Sequence, residues 1–385
     1  MKEAIAIKNW LLNSGIQNIG KDRHINGGFN SWFSMDKKNY PFIYSEITGY
    51  GITTLLFLYE TEKDSIYIER AELAADWILN TALHPCGGIK SRYYYSKNEA
   101  NDNYSFEKGN IFVFDTAMAL FGLSSLYKQT KKEKYLEASK KIADFLVRMQ
   151  KDNGQFFAFY NPGRNFFGDI DDKWSNQSGS YHAKIALGLL NMHDITKKDT
   201  YKGSAIKACD SALNFQKDDG RFVTSRKDST THQHPHCYSA EGLLYCGLKL
   251  GIKKYVDSAI KAIGWSLNSQ LENGGIPQIY EQKSGKFVEY ERTDILSQVL
   301  RLGLLAKSCC NREAANIEKL EKLKNRLLSF QNLEGAQKGG IFYGSEYDGK
   351  KCKDLNAWCS MFALQALYFL RLFKDGKRLS IELLV

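Results

Sequence analysis

Three of the chain's seven histidines lie within five residues, directly before an apolar helical pattern. His232, His234 and His236 alternate along the chain, so in an extended segment their imidazoles would point to the same side. Pro235 disfavours helical geometry in the residue before it, which predicts that the helix begins close to His236. We therefore expect the imidazoles to gather at a helix entrance, where they could transfer protons or contact a ligand.

The helix that follows adds further polar groups to the same place. Tyr238, Glu241 and Tyr245 are spaced by three and then four residues, which puts them on one helical face. Phenol, carboxyl and imidazole groups together can act as general acids and bases. We interpret this stretch as one wall of an active site.

The alternating histidines also permit two other interpretations. A metal could bind at His234 and His236, with Cys237 or an acidic residue completing the site. No second ligand motif with a fixed metal spacing accompanies them, so we expect a site that uses no metal and no other cofactor. A purely structural histidine cluster in a loop is the remaining alternative.

Length and cysteine usage limit the class of protein. A chain of 385 residues exceeds the usual size of a single-core domain. No apolar run has the length of a signal peptide core or of a membrane span. The eight cysteines contain no CxxC pair, which indicates reduced thiols. We expect a cytoplasmic protein without disulfides.

The net charge of +10 favours an anionic partner, which could be nucleic acid, a membrane surface or an acidic glycan. Most lysines, however, alternate with acids on outer helical faces, as in the segment 131–134. No compact basic tract, zinc-finger spacing or RNP-like motif occurs, so we do not expect nucleic-acid binding. The 22 tyrosines and 22 phenylalanines suit stacking on sugar rings. An acidic sugar is the expected partner, and no feature indicates an oligomeric state.

A short glycine mark, in which glycine is followed by one residue and then by Phe or Ile, recurs six times. Four of these marks follow a helical pattern that ends in glutamine. Glycine suits this position because it leaves a helix through left-handed geometry at little cost. The marks are Gly27–Phe29, Gly87–Ile89, Gly154–Phe156, Gly220–Phe222, Gly274–Ile276 and Gly339–Ile341.

Between the marks, a nearly all-apolar helix alternates with an amphipathic one. The apolar helices are predicted at Tyr44–Thr61, Phe114–Gln129, Tyr181–Thr196, His236–Leu250, Thr293–Ser308 and Asn356–Phe373. The amphipathic helices are predicted at Ser65–Ala82, Glu133–Gln150, Thr200–Gln216, Lys253–Gln270 and Ala314–Gln331, with Lys2–Ser14 as the sixth.

This alternation predicts an all-α fold in two layers. A helix that is apolar all round must be buried, whereas a helix with one charged face must lie outside. Six such pairs predict an (α/α)6 double-layered toroid of six helical hairpins, in which the N-terminal helix closes the outer ring. We expect one domain over residues 1–385, with a C-terminal tail at 373–385.

Three features of the sequence carry a family resemblance. The QxxDGxF-type glycine marks, the segment Phe114–Leu120 and the segment His236–Leu243 resemble the (α/α)6 toroids of the six-hairpin glycosidase and terpenoid-cyclase superfamilies. The resemblance extends over the whole chain and includes poorly characterised toroid proteins of surface-polysaccharide metabolism. It implies a glycan-processing enzyme, which could be a hydrolase, a lyase or an epimerase, because this architecture hosts several chemistries.

Polar groups of the inner helices are concentrated at the N-terminal ends, where they must line a cavity or be satisfied in the core. Capping explains Asp and Asn at such positions but not Tyr, His or Arg, so we predict a shared pocket. The predicted catalytic residues are Asp115, Glu46, Glu241, His182, His236 and Tyr238. The predicted substrate-binding residues are Tyr44, Tyr50, Tyr181, His232, His234, Arg292, Asp294, Gln298, Arg301, Asn356 and Trp358.

Two kinds of chemistry fit these residues. Glycan hydrolysis or lysis needs a proton donor and a base or nucleophile, commonly two carboxyl groups. The resemblance to uronyl hydrolases implies that Asp115, in an Asp-Thr helix start, is catalytic, although the Arg-Gly-Asn-Gly-Trp type loop of those enzymes has no match here. Alternatively, a Tyr/His pair could exchange the proton α to a carboxylate that Arg292 and Arg301 hold, as in uronate epimerases and lyases.

Two further functions stay open as alternatives. The segment Asp169–Asp172 matches the DxDD acid motif of terpenoid cyclases on a related toroid, but it precedes the third inner helix by about ten residues, so we expect a solvated loop. A non-catalytic glycan-binding or assembly protein would have a shallow mouth with unpaired carboxylates. The preferred interpretation is an enzyme that acts on an acidic, uronate-containing glycan.

Overall fold

The computed structural model describes residues 1–96, 100, 102–107, 109–310, 316–345 and 350–385. In these ranges, α-helices of two kinds alternate along the chain. The inner helices are α2 (Ser45–Glu62), α4 (Val113–Thr130), α6 (Ala186–Thr196), α8 (Gln233–Leu250), α10 (Thr293–Cys310) and α12 (Ala357–Lys374). The outer helices are α1 (Lys2–Asn13), α3 (Ile66–Trp77), α5 (Glu133–Arg148), α7 (Asp199–Leu213), α9 (Lys253–Asn268) and α11 (Ile317–Leu328).

The inner helices form a closed ring, in which each contacts the next and α12 contacts α2. Each outer helix packs against the inner helix of its own hairpin, and α1 packs against α12. The structure therefore confirms the (α/α)6 double-layered toroid and the closure of its outer ring by the N-terminal helix. The third inner helix begins as a 3-10 helix at Ser180–Ile185, and the predicted start of the last outer helix at Ala314 lies outside the described residues.

The division into layers follows from the side chains. From Ile47 to Leu58, every residue of α2 is buried, and α4, α8 and α12 bury nearly all of their residues as well. In contrast, α5 buries one stripe that includes Tyr135 and Ile142 and exposes its lysines. Removing apolar surface from water stabilises by roughly 25 cal/mol per Å², so only the inner position lets an all-apolar helix contribute fully.

Short antiparallel strands, which the sequence did not predict, connect the hairpins at one end of the ring. The paired strands of the described residues are β1 (Trp32–Ser34) with β10 (Asp354–Asn356), β2 (Phe42–Tyr44) with β3 (Arg92–Tyr94), β4 (Ile111–Phe112) with β5 (Phe159–Asn161) and β6 (Phe166–Gly168), and β7 (Thr231–His232) with β8 (Ile279–Glu281) and β9 (Lys286–Val288). Strands β2, β4, β7 and β10 end directly before α2, α4, α8 and α12 and fix where these helices begin.

The glycine marks are the joints between neighbouring hairpins. The first glycine of each mark has a positive φ, between +84° at Gly154 and +103° at Gly339. A Cβ at Gly154 would lie 2.4 Å from the main-chain oxygen of Lys207, in the next outer helix. The glutamine before the mark secures the joint, since the Gln150 amide donates to main-chain oxygens of Gly154 and of Ser204 in α7. The same glutamine bridge recurs around the ring, at Gln17, Gln216, Gln270 and Gln331.

The segment predicted as a C-terminal tail runs back under the ring, at the end away from the strands. Leu384 and Val385 are buried, and the main-chain oxygen of Val385 accepts a hydrogen bond from Arg301. Gln365 of α12 accepts from the Val385 amide at 3.1 Å. The C-terminal segment therefore packs against the inner helices and satisfies some of their polar groups.

No helix in the described ranges is long and apolar enough to cross a membrane. The eight cysteines all lie in these ranges, and none of them forms a disulfide.

Close packing at Gly242 leads to a stability prediction. Gly242 lies in α8, and a Cβ there would be 2.2 Å from the carbonyl carbon of Ala183. Because the clashing atoms belong to the main chain, Gly242→Ala should destabilise the fold by about 1–3 kcal/mol or more, the usual cost of overpacking. Thermal melting checks this. Gly264→Ala in α9 is the matched control, since no atom lies within 4 Å of its added Cβ, and it should be neutral or stabilising by up to about 1 kcal/mol. Equal melting temperatures of the two variants would contradict the prediction.

Candidate active site

A cavity of about 340 Å³ opens at the end of the toroid where the inner helices begin. Helices α2, α4, α8 and α12 contribute their first turns to it, and the strand-containing loops form its sides. It is lined by Trp32, Tyr44, Glu46, Ile47, Arg92, Tyr104, Phe112, Phe114, Asp115, Lys173, Trp174, Ser175, Tyr181, His234, Tyr238, Arg292, Tyr343, Asp354, Asn356 and Trp358.

Two carboxyl groups enter the cavity from neighbouring helices. Glu46 is the second residue of α2, and Asp115 is the third residue of α4. Strand β2 positions Glu46 and strand β4 positions Asp115, because each strand ends where the helix begins. The Tyr44 hydroxyl interacts with both carboxyl groups. The first turns of two adjacent inner helices therefore bring an acidic pair together.

Burial raises the pKa of Glu46, and the negative charge of Asp115 raises it further. Burial also raises the pKa of Asp115, although the nearby Ser91 hydroxyl and the charge of Arg92 oppose this shift. Arg92 and the Ser91 hydroxyl favour the ionised form of Asp115, and the charge of Asp115 in turn favours a protonated Glu46. Burial and mutual repulsion disfavour ionisation of both groups together, so one can donate a proton while the other accepts one.

Arg92 forms the wall next to this pair. Its guanidinium lies 4.4 Å from the ring centre of Tyr104, 4.7 Å from that of Phe42 and 5.0 Å from that of Tyr44. Its Nη1 donates to Asp102 at 2.7 Å. Its Nε is buried and makes no hydrogen bond to the described part of the chain. A caged cation with an unused donor suits a bound anion.

Arg92 and Lys173 also line the cavity, although the sequence did not predict them as site residues. The Lys173 Nζ lies 4.5 Å from the centre of the Tyr104 ring. Arg92 belongs to strand β3 and Lys173 to a loop, so helical periodicity does not indicate either of them. The only sequence signal for Arg92 was the adjoining cluster of three tyrosines, Tyr93–Tyr95.

His234 enters the cavity from the first turn of α8. Its Nδ1 lies 2.9 Å from the Gln298 side-chain oxygen and 3.2 Å from the Asp294 carboxylate. Both partners are acceptors, so Nδ1 carries the proton and Nε2 is the free lone pair. Burial lowers the pKa of His234 to about 3, which keeps the imidazole neutral.

Asp294 is fixed from two further sides. Arg292 forms an ion pair with it, and the Trp358 indole donates to it at 3.0 Å. Although burial opposes ionisation, the charge of Arg292 and the hydrogen bonds from Arg292 and Trp358 hold the pKa of Asp294 below its usual value. Asp294 and Gln298 therefore orient His234 rather than reach the cavity themselves.

Several residues predicted for the site do line the cavity, and others do not. Those in the lining are Glu46, Asp115, Tyr238, Tyr44, Tyr181, His234, Arg292, Asn356 and Trp358. Those behind or beneath it are Glu241, His182, His236, Tyr50, His232, Asp294, Gln298 and Arg301.

The expectation that His236 faces the cavity is wrong. Its Nδ1 accepts from the Phe222 amide at 3.1 Å, and its Nε2 lies 3.0 Å from the Ala262 oxygen. The reason is that α8 begins at Gln233, before the proline, so residues two apart point to different sides of a helix instead of one side of a strand. Proline is tolerated there because the first turn needs no amide donor. His234 and His236 consequently cannot share a metal ion.

His182, Glu241 and Arg301 are also buried away from the cavity, contrary to the prediction. His182 packs against the Phe156 ring, and burial lowers its pKa to about 3. Arg301 donates to Glu241 at 2.7 Å below the cavity floor, so it cannot hold a substrate carboxylate. His232 ends strand β7 and is partly buried outside the lining.

The Asp169–Asp172 motif lies outside the cavity lining as well. Asp169 forms an ion pair with Lys151, and Asp171 pairs with Arg226 at the surface. Asp172 is exposed and accepts from the Asn176 amide. The expectation of a solvated loop agrees with this placement. Among the described residues, no group of three His, Cys, Asp or Glu side chains is arranged to hold a metal ion.

Comparison with known proteins gives a partial family match and extensive fold matches. Residues 90–171 match the family model for pectic acid lyase. A Caenorhabditis elegans protein described as uncharacterized protein B0495.5 is 28% identical over 118 residues, which are 29% of this chain and 15% of that protein. The chain thus spans about a seventh of that relative's length.

Solved structures resemble the chain over nearly its full length. Cellobiose 2-epimerase from Bacillus thermoamylovorans B4167 matches with a TM-score of 0.74 and 13% identity, over 96% of this chain and 99% of that one. A sugar epimerase from a ruminal bacterium matches with a TM-score of 0.76 and 10% identity, over 96% and 99%. Unsaturated glucuronyl hydrolase from Bacillus sp. GL1 matches with a TM-score of 0.69 and 15% identity, over 97% of each chain. These matches establish the toroid fold.

Proposed function

We propose that this protein is an enzyme that acts on an acidic, uronate-containing glycan by general acid/base chemistry. The observation that carries the proposal is the pair of Glu46 and Asp115, two buried carboxyl groups that line one cavity and have raised pKa values. Glu46 is the acid and Asp115 is the base, because Arg92 and Ser91 favour the ionised form of Asp115. Pairs of titratable groups whose environments separate their pKa values commonly mark such roles.

An acidic substrate is supported by the cations around the pair. Arg92 and Lys173 line the same cavity, and the Arg92 Nε makes no hydrogen bond to the described residues. A guanidinium binds a carboxylate through two parallel hydrogen bonds, which also fixes its orientation. Aromatic rings of Trp32 and Trp358 supply flat surfaces for the apolar faces of sugar rings.

Similarity to known proteins supports the same substrate class. The pectic acid lyase match contains both Arg92 and Asp115, and one of the matching folds is a glucuronyl hydrolase. A fold of this kind hosts several chemistries, so the cavity residues decide among them.

Hydrolysis is the reaction that the carboxyl pair serves most directly. Glu46 would give its proton to the oxygen of the leaving group, while Asp115 would take a proton from the attacking water. The C–O bond breaks as the new bond to water forms, and the proton on Asp115 is then returned to solvent. Arg92 would hold the uronate carboxylate through both steps.

Proton exchange next to the carboxylate, in an epimerase or a lyase, is the second candidate. The observation that favours it is His234, whose Nδ1–H is held by Asp294 and Gln298 so that Nε2 is left as a base. Tyr238 lines the same cavity and could donate a proton. The imidazole pKa of about 3 makes His234 a weak base, which is why hydrolysis ranks first.

A panel of uronate-containing glycans, incubated in D2O and read by mass spectrometry, tests the proposal. Fragments whose masses show the addition of one water indicate hydrolysis. An unsaturated fragment indicates a lyase, and deuterium uptake on carbon without cleavage indicates an epimerase. We expect the same result with and without EDTA, since His234 and His236 point apart. No change in any glycan would overturn the proposed function.

Arg92→Met should reduce recognition of the substrate carboxylate. We expect KM for the uronate substrate to rise at least about 10-fold, because a charge-assisted hydrogen bond contributes about 1.5–3 kcal/mol. KM for the methyl ester of the same substrate should change little. Arg148→Met, in the exposed face of α5, is the matched control. An equal rise in KM for the acid and its ester would contradict the role of Arg92.

A further inference from the structure

A buried lysine lies directly beneath the cavity floor. Lys184 belongs to the 3-10 helix Ser180–Ile185 and has no exposed surface. Its ammonium lies 4.4 Å from the ring centre of Tyr238 and 4.7 Å from that of Tyr50. It donates to the Tyr50 hydroxyl at 3.4 Å, and Tyr238 lines the cavity above. A charged group therefore touches the back of a cavity-lining phenol.

Two buried cations share their anionic and carbonyl partners beneath the cavity. Glu241 of α8 lies 3.2 Å from the Lys184 ammonium, and the same carboxylate accepts from Arg301 of α10 at 2.7 Å. The Val385 oxygen also accepts from both cations, at 3.4 Å from Lys184. Glu46 of α2 acts on Lys184 through its charge, and α12 contributes the Phe362 ring.

Of the two cations, Lys184 is the one that can give up a proton, because an arginine keeps its proton under all ordinary conditions. Burial lowers the pKa of Lys184 to about 8, the charge of Glu241 opposes this shift, and the charge of Arg301 adds to it.

The hydrogen bonds between Lys184 and the cavity have a fixed direction. An ammonium has donors only, so the Tyr50 oxygen must accept from it. The Tyr50 hydroxyl then donates to the Tyr238 oxygen at 3.0 Å. The Tyr238 hydrogen consequently remains free for an acceptor in the cavity. The three side chains form a chain of donors that points from the core toward the substrate.

We propose that Lys184 and Tyr50 form a proton relay that supplies Tyr238, which acts as a second proton donor to the substrate. The inference rests on the second candidate of the proposed function, proton exchange next to the carboxylate, in which a substrate oxygen becomes negative and gains a proton. In hydrolysis, Glu46 already protonates the leaving oxygen. Tyr238 is the catalytic residue here, and Lys184 and Tyr50 act through it.

The relay balances in protons and charge. Tyr238 transfers its proton to a substrate oxygen that develops negative charge, and it takes the proton of Tyr50. Tyr50 in turn takes a proton from Lys184, which becomes a neutral amine beside the intact Glu241–Arg301 pair. No net charge is left on either phenol. After product release, water in the cavity returns one proton along the same path.

Tyr50→Phe tests the relay, because it removes one hydroxyl and leaves Lys184 in place. That hydroxyl also interacts with Glu46, so the number of transferred protons, and not kcat alone, decides the test. We expect kcat to fall about 10- to 100-fold, at the lower end of the usual effect of lost acid/base catalysis, with KM within about 3-fold. The number of protons in flight, measured from rates in H2O/D2O mixtures, should fall from several to one. Lys184→Met should give the same two changes if it folds.

Tyr245→Phe is the matched control, since it removes a buried hydroxyl from the same helix α8 that contacts Asn191 instead. This variant should keep the wild-type kcat and the wild-type proton count. If Tyr50→Phe and Tyr245→Phe behave alike, the relay is wrong. Loss of thermal stability in Tyr50→Phe with unchanged kcat would also overturn it.

A measurement without substrate separates this inference from the proposed function. The 13Cε resonance of Lys184, assigned by its loss in Lys184→Met, should titrate well below those of the surface lysines. Tyr50→Phe should shift that midpoint, because the ammonium loses an acceptor. A normal lysine midpoint overturns the relay even in an active enzyme. If the midpoint is depressed but the protein is inactive on every glycan, the contact between Lys184 and Tyr50 is supported and the proposed function is wrong.

Discussion

Glu46→Gln and Asp115→Asn are each expected to lower kcat at least about 100-fold, in line with the usual loss when a general acid or base is removed. Both substitutions keep the shape of the side chain and remove only its ionisation. Because burial and mutual repulsion already disfavour the charged forms, neither variant should be less stable than the wild type. Steady-state kinetics on the substrate found in the glycan panel, together with thermal melting, measure both effects.

The pH dependence should separate the two roles. Activity requires a protonated Glu46, so it falls as pH rises through the raised pKa of that group. It also requires an ionised Asp115, so it falls as pH drops through the raised pKa of Asp115. The active range should therefore lie above the ordinary titration range of carboxyl groups, and its two limits belong to the pair rather than to either residue.

Residual activity in Asp115→Asn provides a sharper test. The negative charge of Asp115 helps to raise the pKa of Glu46, so its removal should move the alkaline limit to lower pH. Glu60→Gln, near the other end of α2, is the control and should leave the profile unchanged. If Glu46→Gln kept more than half of the wild-type kcat at every pH, the carboxyl pair would not be the catalytic pair.

The alternation of inner and outer helices was predictable because its determinants are local. A glycine that requires positive φ, such as Gly154 or Gly220, marks each joint in the sequence itself. The glutamine before the joint repeats for an equally local reason, since Gln150 bridges its own turn and the next outer helix. Apolar and amphipathic periodicity then assigns each helix to a layer.

Helical periodicity could not predict how deep in the ring each inward-facing residue lies. Glu46 and Asp115 are the second and third residues of their helices and reach the cavity. Glu241 and Arg301 also point into the ring from their helices, α8 and α10, but each is the ninth residue of its helix. At 1.5 Å per residue they lie roughly 12 Å below the first residue, which places them under the cavity floor.

Non-helical residues of the site were missed for a different reason. Arg92 reaches the cavity because β3, which follows the hairpin of α2 and α3, pairs with β2, which precedes it. Tyr44 lies opposite Arg92 in this pairing. This pairing depends on residues far apart in sequence and on strands of only three residues. The error at His236 has a similar origin, because the start of α8 at Gln233 is set by the packing of β7 on β8 and not by Pro235.

Glu241→Gln is expected to destabilise the protein by about 3–5 kcal/mol, which is the usual cost of breaking a buried ion pair from one side. Glutamine has nearly the same volume, so the loss comes from charge alone. It leaves the cations Lys184 and Arg301 buried close together without the carboxylate that both contact. Denaturant unfolding at neutral pH, followed by circular dichroism, measures the change.

The double variant Glu241→Gln/Lys184→Met should recover part of that loss, since it leaves one unpaired buried cation instead of two. Glu382→Gln provides the contrast, because Glu382 is about half exposed and pairs with Lys128 and Lys249 at the surface. An exposed pair contributes about 0–1 kcal/mol, so this variant should melt close to the wild type. Equal losses in Glu241→Gln and Glu382→Gln would mean that water reaches the space beneath the cavity. The relay from Lys184 requires that space to be dry. If water reaches it, Tyr238 could take its proton directly from solvent instead of from Lys184.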